Sequence, residues 1–264
     1  MRKTLTALFA VLILSGILFS GCVGNGNGPE PVSTLVCNRV FDDRFDDLDS
    51  WTLFGSPLPV HMDSVYGENG IFDNNGDPSY NSGAYSNSTY DLSNGFVIES
   101  EVYLDFSNPG GCWANASVGI SDTVETTGSQ YGNLISFGLG AHGEACWATP
   151  DSLRGHSYLS ANYYTGETIA DSTRVLLGST DGEHEVYVAD EYEGQWVILK
   201  IDVDTTLVPS FYINDELVFE GTEPLGSYVD SAEWPLLIGH RSSGSAGKAY
   251  HNSISLCLYE LIWG

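Results

Sequence analysis

The chain has 264 residues, with 35 acidic and 9 basic side chains and a formal net charge of −26. That charge argues against nucleic acid and anionic lipid surfaces as partners, and leaves cations and neutral glycans open. The same acidity also fits a solubility adaptation to salt.

Arg2 and Lys3 precede an apolar run from Leu5 to Phe19, which reads as a targeting segment rather than a membrane span. It ends in Phe19-Ser20-Gly21-Cys22, which resembles the lipobox of secreted lipoproteins. Residues 1–21 are therefore expected to be a lipoprotein signal peptide, and Cys22 the lipidated mature N-terminus. Phe19 departs from the aliphatic residue usual there, and the alternative is an uncleaved membrane anchor. Either way the chain is expected to be extracytoplasmic and held at the cell surface. Residues 22–36 read as a flexible linker, because Val23 to Val32 is rich in Gly, Asn and Pro. The remaining 37–264 suits one all-β domain, large enough to bury a core.

The first strand is expected over Cys37 to Phe45. Asp46 to Pro59 reads as a loop anchored by Trp51 and Phe54. Val60 to Tyr66 is a strand, Glu68 to Ser82 reads as turn chemistry throughout, and Ala84 to Leu92 is again a strand. Gly95 to Phe106 alternates almost strictly. Phe96, Ile98, Ser100, Val102, Leu104 and Phe106 fall on one face, and Glu99, Glu101, Tyr103 and Asp105 on the other. Cys112 to Asp122, Leu134 to Ala141, Leu159 to Tyr164, Thr173 to Gly178 and Glu183 to Val188 read as further strands. Val197, Leu199, Ile201 and Val203 alternate with Trp196, Ile198, Lys200 and Asp202. Phe211 and Ile213 follow, and Asn214-Asp215-Glu216 turns the chain, since Asn and Asp tolerate positive φ. Leu236 to Gly239 and Ile254 to Ile262 close the chain. Many short strands without a helical pattern predict a two-sheet antiparallel sandwich.

Several of these segments resemble the concanavalin A-like domains, the laminin-G-like branch especially. Gly95 to Tyr103 is similar to their "GFTIEAWV" strand. Gln195 to Leu199, followed by Ser210 to Leu217, is similar to their tryptophan strand and Asn-turn hairpin. Leu237-Ile238-Gly239 and Asn252 to Tyr259 fit the closing pattern. The resemblance covers most of residues 38–264 and implies a jelly roll of two antiparallel sheets, one convex and one concave. It implies no activity by itself.

If Cys22 is lipidated, four cysteines remain in an oxidising compartment, with three possible pairings. The resemblance implies adjacent first and last strands, and with them Cys37–Cys257; Cys112–Cys146 is favoured beside it, since each of these two is followed by Trp-Ala and the chain between them can form a strand pair and a turn. Zinc is disfavoured because no two of these cysteines are close in sequence.

The polar row Glu99, Glu101, Tyr103 and Asp105 is the sharpest candidate site. Alternate strand residues lie ~6.6 Å apart, which falls among the carboxyl separations of glycosidases. Glucanases of related fold carry Glu-x-Asp-x-Glu or Glu-x-Asp-x-x-Glu on such a strand. Here Glu101 stands where that Asp would be, and Tyr103 or Val102-Tyr103-Leu104 where the last Glu is needed. Trp113 and Trp147 are added as sugar-stacking candidates, with Tyr158, Tyr163 and Tyr164 in or beside loops. Trp51, Trp196 and Trp263 are assigned to the core. Asp73, Asn75 and Asp77 offer oxygens at i, i+2 and i+4 around Gly76, which suits a structural Ca²⁺; an Asx-rich turn is the alternative.

The expectation is thus a membrane-anchored surface lipoprotein. Its jelly roll binds extracellular glycan or a surface protein without catalysis, through Glu99, Glu101, Tyr103, Asp105, Trp113 and Trp147. The alternatives are a glycan-cleaving enzyme using Glu99 and Glu101, and a structural envelope module with no small ligand.

Overall fold

The computed structural model describes residues 33–55, 60–73, 82–106, 113–121, 133–144, 154–163, 189–226, 233–240 and 247–263. Its strands in chain order begin with β1 (Ser33–Asp43), β2 (Trp51–Phe54), β3 (Val60–Val65), β4 (Glu68–Asp73) and β5 (Ser82–Asp91). Then come β6 (Phe96–Asp105), β7 (Trp113–Ser121), β8 (Asn133–His142) and β9 (His156–Tyr163). The last are β10 (Trp196–Val203), β11 (Pro209–Ile213), β12 (Glu216–Glu220), β13 (Glu233–His240) and β14 (Lys248–Trp263). They form the two-sheet jelly-roll sandwich expected from the sequence. One sheet has eight strands, in the order β12-β11-β10-β6-β14-β4-β3 with β1 also on β14; the other has six, in the order β2-β5-β13-β7-β8-β9.

Period-two patterning dictates this arrangement. Along β6, burial alternates without a break, with Phe96, Ile98, Ser100, Val102 and Leu104 inside. Val197, Leu199, Ile201 and Val203 of β10 continue that inner face. Ala116, Val118 and Ile120 of β7 and Ile135, Phe137 and Leu139 of β8 line the facing sheet. Phe137 meets Phe211 of β11 across the gap, with ring centroids 5.4 Å apart. Each such side chain contributes roughly 1.5–3 kcal/mol by leaving water.

Strand β14 is the longest, and three strands depend on it. It pairs β6 over Lys248 to Leu258. On the opposite edge it pairs β4 at Tyr250 and His251, and β1 from Ile254 onward. Its register with β6 shifts between His251 and Ser253, which leaves Asn252 as an extra residue. A one-residue bulge exchanges the faces of everything beyond it. Lys248 and Tyr250 share the outer row before it, and Ser253, Ser255, Cys257 and Tyr259 after it.

Two segments correct the expectation. Trp51 to Phe54 is a strand rather than loop, and Glu68 to Asp73 is a strand whose Ile71 and Phe72 are fully buried. The Glu-Asn-Gly opening of β4 resembles a turn because a turn does lie there: Tyr66 and Gly67 form it, both at positive φ. The first strand also begins four residues before the expected domain start at Cys37. Asn214 and Asp215, at φ 49° and 66°, make a two-residue hairpin turn, so Glu216 already belongs to β12. The expected strands Thr173 to Gly178 and Glu183 to Val188 lie outside the described residues.

Cys37 and Cys257 are joined, with Cα atoms 5.4 Å apart. The first and last strands are adjacent, as expected, but the bond runs diagonally: Cys37 faces Tyr259 and Cys257 faces Arg39. The pairing Cys112–Cys146 lies outside the described residues. The Cys37–Cys257 link closes a sequence separation of 220. In the chain-entropy model a loop of that size contributes up to ~5 kcal/mol. Cys37→Ser with Cys257→Ser is expected to lower the unfolding free energy by up to that order, read as an earlier midpoint in guanidinium with the far-UV spectrum of the folded state retained.

Candidate functional site

The outer face of the eight-stranded sheet collects the polar row of β6 and its neighbours. Antiparallel register sets Glu99 beside Lys200 and Ser255, Glu101 beside Ile198 and Ser253, and Tyr103 beside Trp196 and Tyr250. Asp105 lies beside Lys248. Residues directly opposite share a face, so one surface holds all of them.

At one end of this surface the rings form a platform. Tyr66 and Tyr103 stack with centroids 4.2 Å apart and planes 10° off parallel. Trp196 lies 5.3 Å from Tyr103, and Tyr250 meets Tyr66 edge-on at 5.7 Å. Tyr66 is 52% exposed, whereas Tyr250 is 5% exposed and serves as the floor. Tyr66 occupies the β3–β4 turn at φ 50°. A bulky residue is an outlier there, at a cost of about 1–2 kcal/mol. Two contacts offset that cost: the stack on Tyr103, and a hydrogen bond of 2.9 Å donated by its hydroxyl to Asp105 Oδ2.

Beyond the platform the carboxylates are individually held. Glu101 Oε2 accepts a hydrogen bond from Asn252 Nδ2 at 2.5 Å, so the bulge residue acts on this face. Glu99 Oε1 lies 3.9 Å from Lys200 Nζ, which also sits 5.2 Å above the Tyr212 ring. A shallow depression of about 190 Å³ lies beside them, lined by Arg39, Asp42, Arg44, Glu99, Glu101 and Ile198 among others. Ile198 is 42% exposed, an apolar spot among charges. Arg39, Arg44, Lys200 and Lys248 are four of the nine cationic residues of the whole chain. Their gathering here makes this face less anionic than the net charge suggests.

Two tyrosine–carboxylate pairs mark the face. Burial first, then the hydrogen bond to Asp105 and its charge, push the Tyr66 hydroxyl up from 10.0 to about 12. Burial and Asp105 push Tyr103 up as well. Further along, the Tyr259 hydroxyl donates to Asp202 Oδ1 at 2.9 Å. Burial raises the Asp202 carboxyl above its usual range, and that hydrogen bond partly counters the rise.

Not every expected site residue joins. Trp113 opens β7 in the other sheet, opposite His142, and so lies apart from the Glu99–Asp105 row. Tyr163 is buried between the sheets, and Tyr158 is buried on the far side. Trp196 is half-buried on the outer face, not in the core, while Trp51 is in the core as expected. Asp73 ends β4 and pairs with Tyr250, but Asn75, Asp77, Trp147 and Cys22 lie outside the described residues. Among the described residues no group of three or more His, Cys, Asp or Glu could hold a metal. Sequence reasoning missed Tyr66, Tyr250, Asn252, Arg39 and Arg44. Only Trp196 carried a signal, since it alternates in phase with Ile198 and Lys200.

Removing the Asp105 charge favours the Tyr66 phenolate. Asp105→Asn is therefore expected to lower the Tyr66 titration midpoint from about 12 part of the way toward 10, because burial, the larger cause, remains. Resolved ¹³C-tyrosine NMR titration of the two proteins checks this; an unmoved midpoint would rule out the hydrogen bond as a contributor.

The sequence matches no protein-family model and no curated protein. Among solved structures it is similar to the potassium-bound carbohydrate recognition domain of Emp46p, at 12% identity and a TM-score of 0.52, over 81% of this chain and 91% of that one. It is also similar to the CBM2 module of the evolved Dit of Lactobacillus casei BL23 phage J-1, at 11% identity and TM-score 0.54, over 89% and 99% of the two chains. A third is the conserved carbohydrate esterase vb_24B_21 from the Shiga toxin-encoding bacteriophage phi24B, at 11% identity and TM-score 0.51, over 84% and 99%. At these identities the likeness shows the fold alone, a two-sheet jelly-roll sandwich.

Proposed function

We propose that this chain is a surface-anchored lipoprotein whose laminin-G-like jelly roll binds extracellular glycan without catalysis, through the outer face of the eight-stranded sheet. The carrying observation is the exposed Tyr66–Tyr103 stack, with Trp196 beside it and Glu101, Asn252, Glu99 and Lys200 in line beyond it. Sugar rings present apolar C–H faces to aromatic surfaces and hydroxyls to carboxylates and amides. This face offers the two in sequence along β6, where alternate residues lie ~6.6 Å apart. Carbohydrate-recognising and carbohydrate-acting proteins among the fold neighbours are compatible with that reading.

The glycosidase alternative asks more of Glu99 and Glu101. Neither has the third carboxylate of the glucanase pattern on its strand. Glu101 is bonded to an amide, and Glu99 sits by a lysine. The surface-protein partner, the envelope module and a structural Ca²⁺ at Asp73, Asn75 and Asp77 remain as competing proposals.

A glycan array followed by calorimetry with the strongest hit tests the face. Tyr66→Ala and Trp196→Ala are each expected to weaken binding about tenfold, the order of one lost aromatic contact. Undiminished binding in both would remove this face from the proposal. Release of reducing ends that stops in Glu101→Gln would transfer the face to hydrolysis, and a clean negative across wide panels would favour the envelope module.

Anchoring is tested separately. In Cys22→Ser the protein is expected to leave the membrane fraction or to accumulate unprocessed. An unchanged membrane partition would make the apolar segment itself the anchor.

A further inference from the structure

The ribbon of β1 and β14 reaches past the rest of the sandwich. β14 leaves β6 at Leu258, with a last backbone bond from the Tyr259 N–H to the Gly95 carbonyl at 3.1 Å. Its pairing with β1 continues, from Val36 opposite Glu260 to Ser33 opposite Trp263. Among the described residues no third strand borders this tip on either edge. The Cys37–Cys257 bond ties its base, so the tip stands on a braced stem.

Apolar side chains at the tip meet solvent on both faces. Directly opposed residues share a face. Leu35 and Leu261 therefore form a pair on one face, and Ile262, opposite Thr34, belongs to the other. These three are 46%, 59% and 52% exposed. Edge strands in water are normally blunted by charge, lysine above all, or by proline. Residues 33–38 and 258–263 contain no proline and one charged side chain, Glu260, in a chain with 35 acidic residues. Glu260 Oε1 accepts a hydrogen bond from Asn38 Nδ2 at 3.4 Å, which turns the carboxylate toward the base.

A protein partner or a second copy laid against the ribbon would cover one face and leave the other wet. A bilayer interface surrounds both faces at once. The last three residue pairs extend about 7–10 Å, the depth at which interfacial segments bury apolar groups. The unpaired backbone groups of both edges forbid deeper entry, because hydrocarbon satisfies none of them. The expected anchor is also near. Residues 23–32 separate Cys22 from Ser33, where the ribbon begins at its tip. A flexible linker of that length spans about 17–20 Å on average and about 40 Å at full extension.

We propose that the ribbon tip, through Leu35, Leu261 and Ile262, inserts shallowly into the bilayer interface beside the chain's own anchor. This rests on the anchoring proposed above. The tip is a second membrane contact, and it fixes how the jelly roll stands on the surface. Without it the linker would let the domain turn freely.

The test uses the processed full chain, reconstituted into phosphatidylcholine vesicles whose acyl chains are brominated near the headgroup. These vesicles carry no net charge, so the acidity of the chain neither draws nor repels it. Leu261→Trp adds a reporter at the tip. Leu217→Trp adds one on β12, at the far edge of the sheet, where Leu217 is 48% exposed. With the fluorescence of the unsubstituted chain subtracted, quenching of the Leu261→Trp signal is expected to exceed that of Leu217→Trp at least about twofold. Adding Leu35→Asp to Leu261→Trp is expected to bring it down to the Leu217→Trp level, with the Cys37–Cys257 bond still found by non-reducing peptide mapping. Equal quenching at the two positions, in protein that floats with the vesicles, would overturn the docking and leave the anchor standing. Protein that does not float would overturn the anchoring and the docking with it. A two-chain mass for Cys22→Ser protein in buffer, halved by Leu35→Asp, would overturn the membrane docking and give the ribbon to a second copy.

Discussion

The bulge at Asn252 is the constraint on which the outer face depends. β14 runs between β6 on one edge and β4 and β1 on the other. A side-chain period of two means that any extra residue reverses inside and outside from that point on. Without it, either Tyr250 or the Ser253–Tyr259 row would face the core, and either Ala249 or the Ile254–Leu256 pair would face water. Just past the bulge an inner-row hydroxyl bonds the backbone of β14: Ser100 Oγ donates to the Ser253 carbonyl at 2.9 Å. That explains a polar residue in an otherwise apolar row. On the outside, the extra residue places an amide on Glu101. One irregularity thus keeps the core closed and furnishes the site.

The platform at the other end rests on a different balance. Tyr66 holds an unfavourable backbone geometry in a two-residue turn, where Gly or Asn would adopt it at little cost. What holds it is the stack on Tyr103 and the bond to Asp105, both on β6. The turn of an edge hairpin is thereby tied to the middle of the sheet. An aromatic ring fixed in this way loses little freedom when a ligand covers it, and less ordering cost on binding means tighter binding for the same contact.

The sequence made the inner rows legible, because β6, β10 and β11 obey period two with little exception and their burial follows it. The turn at Asn214-Asp215 and the first-to-last disulfide were legible too, one from local chemistry and one from the resemblance. β4 was not, because its first three residues, Glu68-Asn69-Gly70, carry turn propensity and only Ile71 and Phe72 announce burial. The outer site was legible only in its β6 row. Tyr66, Arg39 and the Tyr250–Asn252 stretch come from three segments far apart in the chain, and the bulge breaks the parity that would have put Tyr250 and Tyr259 on opposite faces. Trp196 was assigned inward as an aromatic residue, against its own alternation with Lys200. The phase of the strand outweighed the hydrophobicity of the residue.

The two outer faces differ in kind. The eight-stranded face spreads its groups over a row of side chains, with aromatic surface at one end and charge at the other. Such a surface suits an extended ligand that touches several residues weakly. The six-stranded face carries Gly138, Gly140 and Gly239 among short polar positions, Asn115, Ser117, Ser136 and Ser160, by the register of its strands. The sandwich separates the two by a full core, with Phe137 and Phe211 between them. A ligand on one face therefore has no direct contact through which to alter the other, and coupling between them would require a shift of that packed layer.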